Sequence, residues 1–317
     1  GTIDTAFSVI LSPDGLLNFV PFAGLQDPED GNFAIERWAI SYVTSGRDLV
    51  PYQRNLPWFV GPPPPADFVL VADPVFKAHL NLGMNGVMAT FFDLDQKKFL
   101  DFNALPKTLE EVETVSHLMQ QLLPRQRILT KDAAREETIL AVRRPSILHL
   151  ATHGFFVSHS GNPSLDRREN VLLRSGLALA GANSFHGTLS HLDGLLTADE
   201  VSGMDLQDTD LVVLSACQTG VGEAKNGEGV YGLRRAFSVA GAKNLVMSLW
   251  RVSDDWTARQ MSAFYKHYSE GKLPVEALRA AQLEMISKLR QAGGEAFPVL
   301  WAAFIVQGPA IPVGAAP

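Results

Sequence analysis

The stretch LVVLSACQTG, residues 211–220, decides the fold of this chain. Its first four residues are apolar and predict a buried strand. The strand runs into a turn of small residues that carries Cys217, the one cysteine among the 317 residues. In an open α/β sheet, residues just past the carboxyl end of a strand lie where ligands bind. A cysteine there is a candidate nucleophile if a histidine arrives on another strand.

That histidine follows a second strand-like run, residues 147–152, which ends on His153 and Gly154. In a parallel sheet the two strand ends meet at one edge, so we expect His153 to lie close to Cys217. A thiolate can attack an amide carbonyl, and imidazole can protonate the leaving amine near neutral pH. The backbone N–H groups of Gly154 and Cys217 could stabilise the resulting oxyanion. The alternative is an inert buried thiol and a core histidine, but the small residues beside both strand ends favour catalysis.

Strands and helices alternate over most of the chain. Apolar runs begin near residues 68, 127, 147, 211, 245 and 301. Helices are predicted from a capping box at Thr108 and Glu111, and over residues 132–143, 229–240, 254–269 and onward from Pro274. Residues 155–197 are predicted as a long loop with one strand-like run at 177–180. The pattern predicts an α/β fold with a mostly parallel sheet of about six strands and helices on both faces.

The N-terminal part has a different pattern. Residues 7–11 and 16–20 flank the turn SPDG, which predicts a β-hairpin, and residues 38–44 predict a third strand. The run GPPPP at residues 61–65 can join neither a helix nor a sheet ladder. We therefore predict an N-terminal β-rich lobe over residues 1–66 and a catalytic domain over residues 67–317.

Composition argues against several classes of function. The formal net charge of −7, without a long Lys/Arg run, argues against direct contact with nucleic acid. A single cysteine can form neither an internal disulfide nor a Cys-rich zinc site, and it fits a reducing, cytoplasmic location. Prolines interrupt the apolar tail at residues 297–316, so we expect no membrane span. No secretory signal opens the chain, which begins at Gly1 rather than Met, so we expect an excerpt of a longer protein.

Several stretches resemble the CHAT domain, a caspase-like cysteine peptidase family related to separase, caspases and gingipains. They are ILHLATHGFF (147–156), LVVLSACQTG (211–220), GEGVYGLRRAF (227–237), NLVMSLWRVSDDWT (244–257), FPVLWAAFIVQG (297–308) and SPDGLLNFVPFAGL (12–25). The resemblance implies a caspase-like three-layer fold, and it spans nearly the whole chain. It also implies a catalytic dyad of His153 and Cys217, an oxyanion hole at Gly154 and Cys217, and no cofactor.

The resemblance implies partners as well as a site. CHAT domains are often appended to tetratricopeptide repeats, so a repeat region or an activating partner outside this chain would regulate cleavage of a protein substrate. Some members of such families are pseudoenzymes. The alternative to a peptidase is therefore a catalytically silent interaction module of the same fold.

Asp254 and Asp255 follow a strand and begin a helix, which leaves two interpretations open. Carboxylates at a helix N-terminus can cap free N–H groups and complement the helix dipole. Alternatively one of them, Asp254 first, faces the cleft and selects a basic side chain before the cut. Residues 252–254 are similar to a Val-Thr-Asp segment that supplies such an acid in separase. The second interpretation predicts cleavage after a basic residue.

Three other patterns have a structural and a functional interpretation. GEGVYG at residues 227–232 fits a dinucleotide fingerprint, but a charged loop separates it from the preceding strand. His149 lies four residues before His153, but without an evident third metal ligand we interpret it as a hydrogen-bonded core histidine. Arg174 and residues 167–168 are either self-processing sites or exposed charges of a loop.

Overall fold

The computed structural model describes residues 8–49, 67–77, 102–156, 171–184, 192–215, 228–250 and 252–308. The strands of this part are β1 (Ser8–Leu11), β2 (Ala39–Tyr42), β3 (Asp67–Pro74), β4 (Arg125–Lys131), β5 (Ile147–Ala151), β6 (Gly154–Phe156), β7 (Ser175–Ala178), β8 (Leu195–Thr197), β9 (Leu211–Leu214), β10 (Leu245–Ser248) and β11 (Phe304–Gln307). The α-helices are α1 (Ala34–Arg37), α2 (Pro106–Met119), α3 (Glu136–Leu140), α4 (Ala198–Ser202), α5 (Glu228–Ala240), α6 (Asp254–Ser269) and α7 (Pro274–Gln291).

The centre of the fold is an eight-stranded sheet in the order β1-β2-β11-β10-β9-β5-β3-β4. Strands β4, β3, β5, β9 and β10 run parallel to one another, and β11 pairs antiparallel with β10. Strands β2 and β1 then run parallel to β11. The predicted mostly parallel α/β sheet is confirmed, and all six predicted strands belong to it. The sheet exceeds the predicted six strands because β1 and β2 extend it beyond β11.

Helices cover both faces of this sheet because its central strands are apolar on both faces. In β5, Leu148 and Leu150 belong to one core, whereas Ile147 and Ala151 belong to the other. Helices α3, α4 and α5 cover the first face. Helices α2 and α6 and the first half of α7 cover the second. Because β3, β5, β9 and β10 run parallel to one another, their carboxyl ends lie at the same end of the sheet, which we call the carboxyl edge.

Helix α2 does not begin with the predicted capping box. It begins at Pro106, whose fixed φ suits the first helical position. The Thr108 hydroxyl donates to the Leu105 carbonyl at 2.7 Å and accepts from the Asp73 N–H at 2.9 Å. Glu111 is buried rather than turned back to a cap. The Ser/Thr-x-x-Glu pattern was therefore misleading here, because tertiary contacts use both side chains.

The stretch predicted as a long loop contains a second, three-stranded sheet in the order β6-β7-β8, so that prediction is wrong for its described part. Both pairings are antiparallel, and the strand-like run predicted at residues 177–180 overlaps the last two residues of β7. Strands β6 and β8 are three residues each, too short to show a period in the sequence. This small sheet begins at Gly154, directly beyond the carboxyl end of β5.

The predicted N-terminal hairpin is also wrong. Residues Gly15–Phe19 form a 3₁₀ helix whose first N–H is capped by the Asp14 side chain. Strand β1 instead pairs in parallel with β2, the strand predicted at residues 38–44. The prolines at residues 61–65 lie outside the described residues, and the domain division at residue 66 stays a prediction.

The C-terminal strand is shorter than predicted. Residues 301–303 form a turn, and β11 begins at Phe304. In the part of the chain that is described, none of the helices is both long and apolar enough to cross a bilayer.

Candidate active site

His153 lies directly beyond the carboxyl end of β5, at the junction between the two sheets. The Thr152 hydroxyl donates to the Ala178 carbonyl, and the Ala178 N–H donates to the His153 carbonyl at 2.8 Å. These bonds fix the backbone on both sides of the histidine to β7. Only 7% of His153 is exposed.

The imidazole of His153 makes a hydrogen bond that determines its tautomer. Its Nε2 lies 2.8 Å from the backbone carbonyl oxygen of Asn103. A carbonyl oxygen can only accept, so Nε2 carries the proton. In the neutral ring Nδ1 is then the basic nitrogen, and it is the atom that could accept a thiol proton.

Two aromatic rings pack against this imidazole. The Phe76 ring centre lies 5.3 Å from that of His153, and the Phe102 ring is stacked at 5.6 Å with an interplanar angle of 27°. Both phenylalanines belong to a small apolar cluster at the carboxyl edge, which also includes Phe155 and Leu195. The imidazole therefore acts in an environment from which most water is excluded.

Asn103, Phe76 and Phe102 were not found from the sequence. Phe76 follows β3 without a recognisable motif, and residues 79–103 have no clean hydrophobic period. The atom of Asn103 that contacts His153 is a backbone oxygen, so no residue type could have signalled its role. Only the fold brings these positions next to β5.

Gly154, the expected oxyanion residue, is the first residue of β6 and is buried. It pairs with Leu177 of β7 in antiparallel register. Its position directly after His153 keeps its backbone at the carboxyl edge. Its role in holding an oxyanion stays a prediction.

Cys217 lies outside the described residues, so the predicted dyad is not seen directly. The neighbouring described residue before it in the chain is Ser215, at the end of β9. Strand β9 lies next to β5, with Leu214 opposite Leu150. The strands that lead to Cys217 and to His153 are therefore adjacent and end at the same edge.

Asp254 and Asp255 form the first turn of α6, where the chain returns from β10 at the carboxyl edge. Asp255 forms an ion pair with Lys107 of α2, which lowers the pKa of its carboxyl group. The Asp255 side chain is nevertheless 69% exposed. Ser253, at the N-cap position, makes no side-chain capping bond. Both carboxylates are thus placed to complement the helix dipole, and their pocket role stays a prediction.

His149 is a hydrogen-bonded core histidine. Its Nδ1 lies 3.0 Å from the Tyr265 hydroxyl, and its Nε2 lies 3.0 Å from a carboxylate oxygen of Glu111. Within the described residues, no group of three His, Cys, Asp or Glu side chains is arranged to hold a metal ion.

Two other sequence patterns are resolved by position. Arg174 is buried, with its guanidinium 5.6 Å from the Phe156 ring centre, so the folded chain does not present it for cleavage. Residues 167–168 lie outside the described residues, as does Gly227. Helix α5 begins at Glu228 whereas β9 ends at Leu214, so the glycine pattern does not follow its strand directly, as a dinucleotide fingerprint should.

This chain is similar to a known domain family and to known proteins. The family described as the CHAT domain matches residues 3–309. Tetratricopeptide repeat protein 28 of Homo sapiens is 25% identical over 326 residues, covering 97% of this chain and 12% of that protein. The Mus musculus protein of the same name is 24% identical over 325 residues, with the same two coverages. This chain therefore spans 12% of the length of the curated relatives it matches.

A solved structure, that of the Arg specific cysteine proteinase gingipain R, is also similar to this chain. The TM-score is 0.47 at 10% sequence identity, and the match covers 86% of this chain and 54% of gingipain R.

Proposed function

Since this chain belongs to the CHAT domain family, we propose that it is a cysteine endopeptidase with Cys217 as nucleophile and His153 as general acid and base. The observation that carries the proposal is the hydrogen bond from His153 Nε2 to the Asn103 carbonyl oxygen. It gives the ring the tautomer in which Nδ1 can accept the thiol proton. A backbone carbonyl would thus orient the imidazole, a task that a carboxylate performs in serine peptidases.

Cleavage would begin with proton transfer from the Cys217 thiol to His153 Nδ1 and attack of the thiolate on the scissile carbonyl carbon. A C–S bond forms, and the electron pair of the carbonyl moves to oxygen, where the N–H groups of Gly154 and Cys217 would stabilise it. When the intermediate collapses, the C–N bond breaks and the imidazolium protonates the leaving amine.

Hydrolysis of the thioester would complete the cycle. Nδ1 takes a proton from water as the water oxygen forms a C–O bond to the thioester carbon. The C–S bond then breaks, and the proton returns to the Cys217 sulfur. The carboxylic acid product then leaves. No cofactor is needed, because one thiol and one imidazole account for every proton transferred during formation and hydrolysis of the thioester.

Chain connectivity supports the pairing of these two residues. Cys217 is the second residue after Ser215, a span of at most about 7 Å. His153 is likewise the second residue after Ala151, the last residue of β5. Because β5 and β9 are neighbouring strands, we expect both functional groups to come within reach of one substrate carbonyl.

We further propose that the substrate is a protein cut after a basic residue, with Asp254 as the acid that meets the basic side chain. Asp254 and Asp255 begin α6 at the carboxyl edge, which is where a substrate bound to His153 would pass. Carboxylate and guanidinium or ammonium groups form strong, charge-assisted hydrogen bonds. Asp255 already contacts Lys107, so Asp254 is the better candidate.

A regulated or silent form of the domain is the second candidate. The burial of His153 beside Phe76 and Phe102 favours it, because a substrate must reach a largely buried imidazole. The curated relatives are also far longer than this chain. A repeat region or partner outside this chain would open the site, in a cytoplasmic setting that suits the lone cysteine.

The test is cleavage of a mixed peptide library, with cut sites identified by mass spectrometry. We expect cuts by the wild-type chain that disappear in Cys217→Ala and His153→Ala. His117→Ala, which removes an exposed histidine of α2, is the matched control and should cut normally. Cuts that persist in Cys217→Ala would refute the nucleophile. If no cutting occurs, addition of the full-length protein's repeat region distinguishes a regulated peptidase from a silent module.

A further inference from the structure

We propose that Asn183 is the positioning residue for His153, acting through the backbone of Phe102 and Asn103. Its catalytic consequence rests on the proposed peptidase function, whereas its effect on the imidazole does not. Asn183 lies in the 3₁₀ turn Ala182–Ser184, which follows β7. Nothing in the sequence pattern of this region had indicated a role for it.

The side chain of Asn183 brackets one residue of the neighbouring segment. Its Oδ1 accepts the Phe102 N–H at 2.9 Å, and its Nδ2 donates to the Phe102 carbonyl at 2.9 Å. These two bonds imitate the pairing of a β-strand with its neighbour. The orientation of the amide is unambiguous, because a backbone N–H can only donate and a carbonyl can only accept.

The main chain of Asn183 adds a third bond at the same place. Its N–H donates to the Phe76 carbonyl at 2.9 Å. Asn183 therefore holds the backbone of both phenylalanines whose rings pack against His153. The two rings that contact the imidazole belong to residues that share one anchor.

These two hydrogen bonds of the Asn183 side chain, which we call the bracket, matter because residues 102–105 belong to neither a helix nor a strand. No ladder of hydrogen bonds sets the direction of the Asn103 carbonyl, which accepts the proton of His153 Nε2. Peptide planarity transmits the orientation of the Phe102 carbonyl to the N–H of Asn103. Fixing Phe102 at both its N–H and its carbonyl thus limits where the next carbonyl can point.

The chemistry of the bracket requires an amide. Aspartate has nearly the same shape, but its carboxylate accepts only and would repel the Phe102 carbonyl. We therefore expect Asn183→Asp to release the 102–103 segment without leaving a void. Asn183→Ser, which can form one of the two bonds at most, provides a second variant should the aspartate variant fold poorly.

The first readout is the tautomer of His153, measured by nitrogen-15 NMR of histidine-labelled full-length chain. Among eight histidines, the His153 signals are those missing from His153→Gln. We expect the wild type to show the Nε2-protonated form and Asn183→Asp to shift toward a mixture of tautomers. Asn244→Asp is the matched control, because the Asn244 amide also donates to a backbone carbonyl, that of Asp210, ahead of β10.

The second readout is the rate at which iodoacetamide alkylates Cys217, measured against pH. Misplacing a catalytic group by about 1 Å can cost roughly a hundredfold in rate, so we expect a fall of about ten- to a hundredfold in Asn183→Asp. The control Asn244→Asp should alkylate like the wild type.

The outcomes separate this proposal from the proposed function. A lower melting temperature with an unchanged tautomer and pH profile would mean a purely structural Asn183 and would overturn the proposal. A shifted tautomer with alkylation that does not depend on His153 would support the positioning role and refute the peptidase. A shift in both readouts supports both.

Discussion

Glu111 is a carboxylate buried between one strand and two helices. Its Oε1 lies 3.0 Å from His149 Nε2 of β5, and His149 Nδ1 lies 3.0 Å from the Tyr265 hydroxyl of α6. Burial raises the pKa of Tyr265 well above its usual range, so its hydroxyl stays protonated. None of the three side chains can replace a lost partner with bulk water, because all are buried.

We therefore predict that Glu111→Ala lowers the free energy of unfolding by about 1–3 kcal/mol, because it takes away the carboxylate that lies against the buried His149 Nε2. Urea denaturation measures this change. Glu113→Ala, which removes an exposed carboxylate from the same helix, should stay within about 0.5 kcal/mol of the wild type. Equal effects of the two substitutions would contradict a specific role of the buried contact.

Glu136 is a second buried carboxyl group, at the start of α3. Its Oε2 accepts the Gly194 N–H at 2.9 Å, and only 2% of the residue is exposed. Burial, together with the nearby charges of Glu200 and Asp193, raises its pKa from 4.5 to about 8. The folded chain therefore holds a proton here that the unfolded chain releases above about pH 4.5.

It follows that Glu136 destabilises the fold progressively as the pH rises. The proton is present in both states below the unfolded pKa, and stability is lost as the pH rises from there through the folded pKa of about 8. We predict that Glu136→Gln flattens the decline in melting temperature between about pH 5 and about pH 9. Calorimetry of this variant and of Glu137→Gln, whose carboxyl is exposed, measures the difference. If melting temperature falls with pH at the same slope in the wild type and in both variants, Glu136 is not protonated in the folded chain.

At the scale of single residues, the sequence predicted the positions of His153 and Gly154 relative to β5. That success has a physical cause, since both residues directly follow a buried apolar run whose end is visible in the sequence. The partners of His153 could not be predicted, because Asn103 contributes a backbone oxygen and Asn183 acts across 81 residues of chain from Phe102. Cys217 itself lies outside the described residues, so the dyad stays a prediction.

At the scale of single elements, helix α6 bears on substrate choice, because its first turn has two carboxylates at the carboxyl edge. The ion pair with Lys107 holds the pKa of Asp255 below its usual value and partly compensates its charge. No such pair contacts Asp254 among the described residues. The two acids are therefore not equivalent toward a basic substrate.

We predict that Asp254→Asn lowers kcat/KM for substrates cut after Arg or Lys more than Asp255→Asn does. A hydrogen bond to a charged group contributes about 1.5–3 kcal/mol, equivalent to roughly a ten- to a hundredfold loss. Cleavage after neutral residues, if the chain performs it, serves as the internal control. If Asp255→Asn has the larger effect, the role that we assign to Asp254 is wrong.

Elements with a strong hydrophobic period were predicted well. Helix α6 runs from Asp254 to Ser269 as expected, and α7 begins at Pro274 as expected. Strands β6 and β8 of the second sheet were not predicted, since three residues are too few to establish a period. The residues that form a 3₁₀ helix after β1 include two exposed leucines, which imitated the apolar pattern of a strand.

At the scale of the whole molecule, Arg234 of α5 connects the two ends of the chain. Its Nε donates to Gln307 at 2.6 Å, one of its terminal nitrogens donates to Asn18 at 2.9 Å, and its guanidinium lies 5.9 Å from the Tyr42 ring centre. Gln307 in turn is paired with Tyr42 in the sheet. The buried positive charge of Arg234 thus depends on residues from the N-terminal segment.

The N-terminal segment also contributes to the main core. Phe33, Ile35 and Tyr42 are buried in the cluster on the α5 face, and the Phe33 ring contacts Trp301 edge-on at 5.0 Å between ring centres. Sequence patterns at residues 1–66 favoured a separate β-rich lobe, because proline runs mark linkers. Patterns of this kind report where a chain can break its secondary structure, and they carry no information on which sheet a strand joins.

We therefore predict that a fragment of residues 67–317 will not fold stably, despite the predicted division at residue 66. Burial of three large apolar side chains contributes about 1.5–3 kcal/mol each, a sum comparable with the whole stability of a typical domain. Removing Asn18 and Tyr42 also exposes Arg234 and the edge of β11. Circular dichroism and thermal unfolding of this fragment measure the effect. A fragment of residues 8–308 is the control, because it keeps every contact named above. A cooperative transition of the shorter fragment at the wild-type temperature would show instead that residues 67–317 form an independent domain.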